Sequence, residues 1–133
     1  MTAFIDKLAL FTLHDRKVLA VRSQGKTLFY MPGGKREGKE TDQDALIREI
    51  NEELNVELNS QTIRYATTLE AQADGKPEGT IVRLTCYFAD YSGKATAASE
   101  IEELRYLDSS NLDVCSKAAE LAINWLKSAQ MID

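Results

Sequence analysis

The stretch Gly34-Lys35-Arg36-Glu37-Gly38-Lys39-Glu40-Thr41-Asp42-Gln43-Asp44-Ala45-Leu46-Ile47-Arg48-Glu49-Ile50-Asn51-Glu52-Glu53-Leu54-Asn55-Val56 decides the fold. It spaces a glycine, an arginine and glutamates in a fixed way: Gly34, five residues, Glu40, seven residues, then Arg48-Glu49 and Glu52-Glu53. At 100° per residue, Glu49, Glu52 and Glu53 fall within an arc of roughly 100° on one helix face. Like charges three and four residues apart disfavour a helix by about 0.2–0.5 kcal/mol per pair. Three carboxylates gathered this way call for cations from outside the chain. Hard oxygen ligands beside a glycine loop point to magnesium or manganese carrying a phosphorylated substrate. Leu46, Ile47, Ile50 and Leu54 form an apolar arc next to the acidic one, so the helix packs one side on a sheet and turns the other to a cleft. Thr41, with Asp44 three residues on, is the start signal, and Asn55 is the stop.

This run resembles the Nudix box, G-x5-E-x7-R-E-U-x-E-E-x-G-U with U a bulky aliphatic, of the Nudix (MutT-like) hydrolases. Every defined position matches but one: Asn55 stands where the family has its last glycine. Asparagine is the next most tolerant residue for the left-handed conformation that ends a helix. The resemblance implies an α/β fold, the Nudix-type α/β/α sandwich with a mixed sheet between helices, over a single domain at residues 1–133. It implies Mg2+ as cofactor, with Mn2+ as the alternative, held by Glu49, Glu52 and Glu53 and by the backbone carbonyl of Gly33. Glu53 is the first choice for the residue that binds or deprotonates the attacking water, with Glu52 beside it. Arg48 and Glu40 would hold the ligand carboxylates in direction, a task suited to the fork of an arginine. The implied reaction is hydrolysis of a phosphoanhydride in a substrate built on a nucleoside diphosphate. A MutT-like nucleoside triphosphate pyrophosphohydrolase is favoured, because the chain is short and carries no added domain. An ADP-ribose or nucleotide-sugar pyrophosphatase is the alternative enzyme. A non-catalytic nucleotide-sensing domain is the alternative of another class, and the intact carboxylate set argues against it.

Composition is consistent with this. At 133 residues the chain is long enough for one sizeable core, and 44% hydrophobic with 28% charged residues is ordinary for a globular protein. A net charge of −5 argues against stable nucleic-acid or membrane-surface binding. A small nucleotide remains an acceptable partner, because divalent ions reverse the local sign of a site. No apolar run approaches the roughly 18 residues of a membrane span. Met1–Asp15 carries Asp6 and Lys7 within its apolar stretch and lacks a cleavage pattern, so a cytoplasmic location is expected. Cys86 and Cys115 show no CxxC pairing and read as reduced, buried thiols. Monomer and homodimer both remain open.

Outside the box the chain reads as short strands and one further helix. Strands are expected at residues 3–13, at Val18–Val21, at Thr27–Tyr30 and at about Glu103–Leu107. Pro32 then blocks a ladder, and Gly33-Gly34 permit a tight loop. Gln61–Ala73 and Thr80–Tyr91 flank the turn signal Asp74-Gly75-Lys76-Pro77-Glu78-Gly79 and predict an antiparallel hairpin. Asn111 or Asp113 is the expected cap of a last helix whose core stripe is Ala118, Leu121, Ala122 and Trp125.

Several residues beyond the box are candidates for chemistry. Glu100, Glu102 and Glu103 precede the last strand, where many relatives keep another acidic ligand or base; Glu103 is favoured, then Glu102. Arg22, at a strand end, and Lys35, directly after the glycines, are candidate substrate-phosphate contacts. Phe29, Tyr30 and Tyr87 are read as core aromatics first and base-stacking groups second. His14 sits alone in a turn, with no serine or cysteine set around it to activate.

Overall fold

Alternation along the first strand decides how the layers stack. The computed structural model describes residues 3–133, so Met1 and Thr2, the start of the segment read as free of a targeting pattern, lie outside it. In chain order the elements are β1 (Ala3–Phe11), β2 (Leu13–His14), β3 (Lys17–Ser23), β4 (Gly33–Gly34), α1 (Asp42–Leu54), β5 (Glu57–Leu58), β6 (Arg64–Gln72), β7 (Thr80–Phe88), β8 (Tyr91–Ser92), β9 (Ile101–Leu107) and α2 (Lys117–Ser128). In β1, Leu8 and Leu10 enter one hydrophobic cluster while Ala9 and Phe11 enter another. A strand buried on both faces requires a layer on each. Leu46, Ile50 and Leu54 of α1 cover the first face, and Ala119, Ala122, Ile123 and Leu126 of α2 cover the second. Each leucine or isoleucine fully buried in this way contributes about 1.5–3 kcal/mol.

The sheet between the helices is mixed. Its four strands run in the order β4-β1-β7-β6, with β1 parallel to β7 and the other neighbours antiparallel. A second, antiparallel sheet runs β2-β3-β9, and β5 pairs with β8. The α/β/α arrangement and the predicted β6–β7 hairpin are both present. Among the described residues no helix is long and apolar enough to cross a membrane.

Four expectations need correction. Thr27–Tyr30 is not a continuous strand; Tyr30 bridges Val21, and Phe29 bridges Cys115 on the other side. Pro32 does not end the ladder, because its carbonyl accepts from Leu10 N–H at 2.8 Å and Gly33–Gly34 then pair with β1. Helix α2 is capped by Ser116, whose hydroxyl accepts from Ala119 N–H, while Asn111 reciprocates with Asp108 at the head of a separate 3-10 stretch, Ser109–Val114. The buried stripe of α2 also lies about one residue further round the helix than expected, with Trp125 only partly buried against the core. Ala118 and Ala122 remain on it, Leu121 is 38% exposed, and Ala119, Ile123 and Leu126 complete it.

Candidate active site

Helix α1 begins and ends where its local chemistry sets it. Thr41 Oγ1 accepts from Asp44 N–H at 3.1 Å, and Asn55 ends the helix at φ 56°, ψ 38°, in the left-handed region. The carbonyls of the last turn are met by the loop that follows β8. Thr96 N–H donates to Leu54 O at 2.9 Å and Ala98 N–H to Glu53 O at 3.0 Å. That stapling carries Glu100 to the same cleft as Glu49 and Glu53.

Position 53 carries a carboxyl that is 7% exposed. Its Oε1 accepts from the Gly33 N–H at 2.9 Å. Burial pushes Glu53 up to about 8; the Gly33 amide opposes this, and the neighbouring charges of Glu49 and Glu100 add to it. Glu49 is also raised, by burial first, against the pull of Arg48. The two glycines are required by contact distance. Gly33 has φ +144°, and a Cβ there would lie 2.0 Å from Leu8 O; a Cβ on Gly34 would lie 2.1 Å from Glu49 Oε2.

Arg48 acts as the bracket. It grips Glu40 with Nε and Nη2 at 2.8 and 2.9 Å, Glu49 with Nη1 at 2.7 Å, and the Lys35 carbonyl with Nη2 at 2.9 Å. Its guanidinium and the Glu37 amide draw Glu40 down to about 2. The structure therefore brings Glu49, Glu53, Gly33 and Lys35 to one cleft of about 670 Å³, with Arg48 and Glu40 supporting Glu49 from outside. Glu52 does not join them. It is half-exposed and lies against Arg48 at 3.3 Å, outside the cleft lining.

Two other candidates are placed elsewhere. Arg22 and Glu103 are directly opposite on β3 and β9, and Arg22 Nη2 donates to Glu103 at 3.1 Å and to Glu102 at 3.0 Å. Val21 and Ser23 line the cleft, so strand alternation turns Arg22 away from it, and Glu103 with it. Arg105 first, then Arg22, hold Glu103 below the ordinary carboxylate range. Glu100 was the least favoured of the three acids and is the one that lines the cleft. Lys7, which is not among the sequence candidates, also lines the cleft. Its only sequence signal is a charge at an inward phase, between Ile5 and Ala9. Burial lowers it first, then Lys35; Glu53 opposes.

Of the aromatics, Phe29 is core and Tyr87 donates to Asp42 Oδ2 at 2.8 Å; burial and then that bond push Tyr87 up to about 12. Tyr30 lines the cleft, along an apolar wall that includes Met31, Val82 and Leu84. His14 is exposed beside Asp15. Both cysteines are free and buried, and burial raises Cys86 to about 12 and Cys115 to about 11.

Among the described residues, no three carboxylates, imidazoles or thiols are close enough to form a ready ligand set. The donor chemistry nevertheless fits a hard divalent ion. Burial raises both Glu49 and Glu53 beside a main-chain glycine, the charge of Glu49 adds to the rise at Glu53, and a third acid, Glu100, lines the same cleft.

No curated protein matches the chain significantly. Solved structures do. The E. coli ORF135 protein superposes with a TM-score of 0.73 at 24% identity, covering 99% of this chain and 96% of that one. A MutT NUDIX hydrolase from Burkholderia pseudomallei gives 0.72 at 21% identity, covering 91% and 96%. A bifunctional NMN adenylyltransferase/ADP ribose pyrophosphatase from Francisella tularensis, solved with AMP and a Mn ion, gives 0.71 at 22%, covering 97% of this chain and 42% of that one. At these identities the likeness establishes the fold. The NUDIX domain family model matches residues 7–128, nearly the whole length. With that match, the mixed-sheet sandwich and the box helix at its cleft, the chain belongs to the Nudix family and is a Nudix hydrolase.

Proposed function

We propose that the protein hydrolyses a phosphoanhydride bond of a nucleoside triphosphate, with Mg2+ or Mn2+, and releases nucleoside monophosphate and pyrophosphate. The observation that carries phosphoanhydride hydrolysis is the buried Glu53 carboxyl hydrogen-bonded to the Gly33 amide, with Glu49 beside it and Arg48 bracing Glu49. A bound divalent ion supplies charge neutralisation on the phosphates and a more acidic water. Glu49, Glu53 and the Gly33 carbonyl would hold it, joined by Glu52 and Glu100. Glu52 is free to turn inward at low cost, because its exposed contact with Arg48 is worth only about 0.3–0.5 kcal/mol.

The chain's own groups then divide the work. Glu53 accepts the proton of the attacking water, and the Gly33 amide fixes the direction of its carboxyl. Arg48 keeps Glu49 aimed inward, and Glu40 keeps Arg48 from turning out to solvent. Water attacks phosphorus, one P–O bond forms, the bridging P–O bond breaks, and pyrophosphate leaves with the bond's electron pair. Lys35 meets the leaving phosphates, and the apolar wall with Tyr30 takes the flat base. Arg22 and Glu103 stay outside this scheme, paired to each other.

The structural neighbours include a bifunctional NMN adenylyltransferase/ADP ribose pyrophosphatase and a UDP-X diphosphatase, so the same fold also occurs in proteins described as acting on diphosphates, which keeps the alternative enzyme in view. One experiment separates the alternatives: a panel of nucleoside triphosphates, ADP-ribose and nucleotide sugars, incubated with Mg2+ and read for both phosphate and pyrophosphate. Pyrophosphate from a triphosphate is the expected result. Turnover of ADP-ribose or a UDP-sugar alone moves the assignment to the alternative enzyme, and nucleotide binding without turnover moves it to a sensing domain. A one-domain protein in the cytoplasm, with reduced buried thiols, belongs to the same proposal.

A further inference from the structure

Of the four lysines that line the cleft, Lys26 among them, three from separate elements feel one another's charge and have no acidic partner in an ion pair. Lys7 comes from β1, Lys35 from the segment after β4, and Lys76 from the turn between β6 and β7; all three line the cleft. Among the described residues none of them forms an ion pair. The arginines around the box behave differently. Arg36 is paired with Asp42, and Arg48 and Arg22 are each held by several carboxylates. Side chains that already carry counter-charges are poorly placed to receive another anion. The unpaired lysines are the cations left for one.

Lys7 is the most constrained of the three. It stands opposite Leu84 in the parallel β1–β7 register, and its neighbour Leu8 pairs with Gly34. Residues 5, 7 and 9 share a face with 82, 84 and 86, so a lysine at 7 places an ammonium where strand phase calls for an apolar group. It is half-buried, with Lys35 and Lys76 repelling it and Glu53 and Glu49 attracting it. A cation in such a place is costly unless something compensates it. Lys76 is also held in place: the Gln72 amide donates to Pro77 O at 3.0 Å and to Ala73 O at 3.2 Å, while accepting from Gly79 N–H at 2.9 Å. The turn is stitched shut with its lysine at the cleft.

We propose that Lys7 is a substrate-binding residue, and that its ammonium, with Lys35 and Lys76, holds a phosphate group of the substrate across the cleft from Glu49 and Glu53. The assignment rests on the phosphoanhydride reading and adds a residue to it. A merely structural role for Lys7, as counter-charge to Glu53, makes different predictions.

The test is calorimetric titration of inorganic pyrophosphate into the metal-free protein at low salt, with melting temperature and nucleotide turnover measured on the same preparations. Wild type should bind pyrophosphate in a salt-sensitive way. Lys7→Met, which keeps the aliphatic stem, should weaken that binding by about tenfold or more, the scale of one hydrogen bond between charged groups. Lys7→Arg should stay within about threefold, and Lys7→Gln serves if the methionine variant does not fold. The melting temperature of Lys7→Met should hold or rise. Pyrophosphate binding that is absent in wild type, or unchanged in Lys7→Met at any melting temperature, overturns the proposal, and a lowered melting temperature with unchanged binding leaves Lys7 as a counter-charge. Failure of the enzymatic reading looks different: no nucleotide is turned over, yet pyrophosphate binding still depends on Lys7, and the anion site stands.

Discussion

At position 53 a carboxyl is buried where, among the described residues, its hydrogen-bond donor is a single backbone amide, that of Gly33. Its pKa in the folded, metal-free protein is raised from 4.5 to about 8. The sign follows from linkage: for an acid whose folded pKa lies above its unfolded one, the stability contribution is full below the unfolded pKa and is lost as pH rises through the folded pKa. Metal-free protein should therefore melt higher near about pH 5 than near about pH 9, by a difference on the order of 3 kcal/mol. Glu53→Gln should flatten that dependence and melt above wild type at the alkaline end, while turnover falls by about a hundredfold or more. Melting curves at both pH values and turnover on one preparation check this. Near-normal turnover would remove Glu53 from the mechanism and turn attention to Glu100. Gly34→Ala probes the same contact from the other side. A Cβ 2.1 Å from Glu49 Oε2 must displace that carboxylate, so Mn2+ affinity should drop by about tenfold or more while the melting temperature moves little. Unchanged affinity would show that Glu49 is not a ligand.

Helix α1 was legible in the sequence because everything that defines it is local. Its cap, its apolar arc and its stop lie within the helix and its two flanking residues and are found as read, while of the acidic arc Glu49 and Glu53 reach the cleft and Glu52 does not. The stop gives the sharpest test. Asn55 sits at φ 56°, so Asn55→Gly should be neutral or modestly stabilising, whereas Asn55→Val should cost about 1 kcal/mol or more. The valine variant should also weaken divalent-ion binding, because Glu52 and Glu53 occupy the final turn. Urea denaturation and Mn2+ titration of the three proteins decide it, and equal values would detach the left-handed cap from the site. Helix α2 was less legible for a reason of the same kind. Asn111 and Asp113 are good caps by residue type, yet Asp108 and Asn111 engage each other around a 3-10 stretch, and Ser116 is left to cap α2. The choice among nearby capping residues depends on where the chain must turn to reach the sheet.

At the scale of the whole molecule, the sandwich and the box helix were readable, but the second wall of the cleft was not. A strand's period fixes which residues share a face but not which face meets the cleft. Arg22 and Glu103 were plausible by composition and landed together on the wrong side, whereas Lys7 and Glu100 reached the cleft through sheet register and through a loop stapled to α1. The two faces of the sheet also differ in what they support. The α1 layer carries Glu49 and Glu53, while the α2 layer mainly buries apolar area. Ile50 and Ile123 are both fully buried, one in each layer. Truncation of either to alanine should destabilise by a similar amount, about 2–5 kcal/mol. Their effects on function should separate. In the cold, where both variants remain folded, Ile123→Ala should keep kcat within about threefold, because it packs in the cluster on the sheet face opposite the helix that carries the carboxylates. Ile50→Ala loosens the helix that aims them, and displacements of even 1 Å at a reacting centre cost up to about a hundredfold, so its kcat should fall by about tenfold or more. Urea titration gives the stabilities, and turnover of the best nucleotide in the panel gives the rates. Equal losses of kcat at equal destabilisation would mean that the catalytic geometry depends on both layers alike, and that α1 is not the element that sets it.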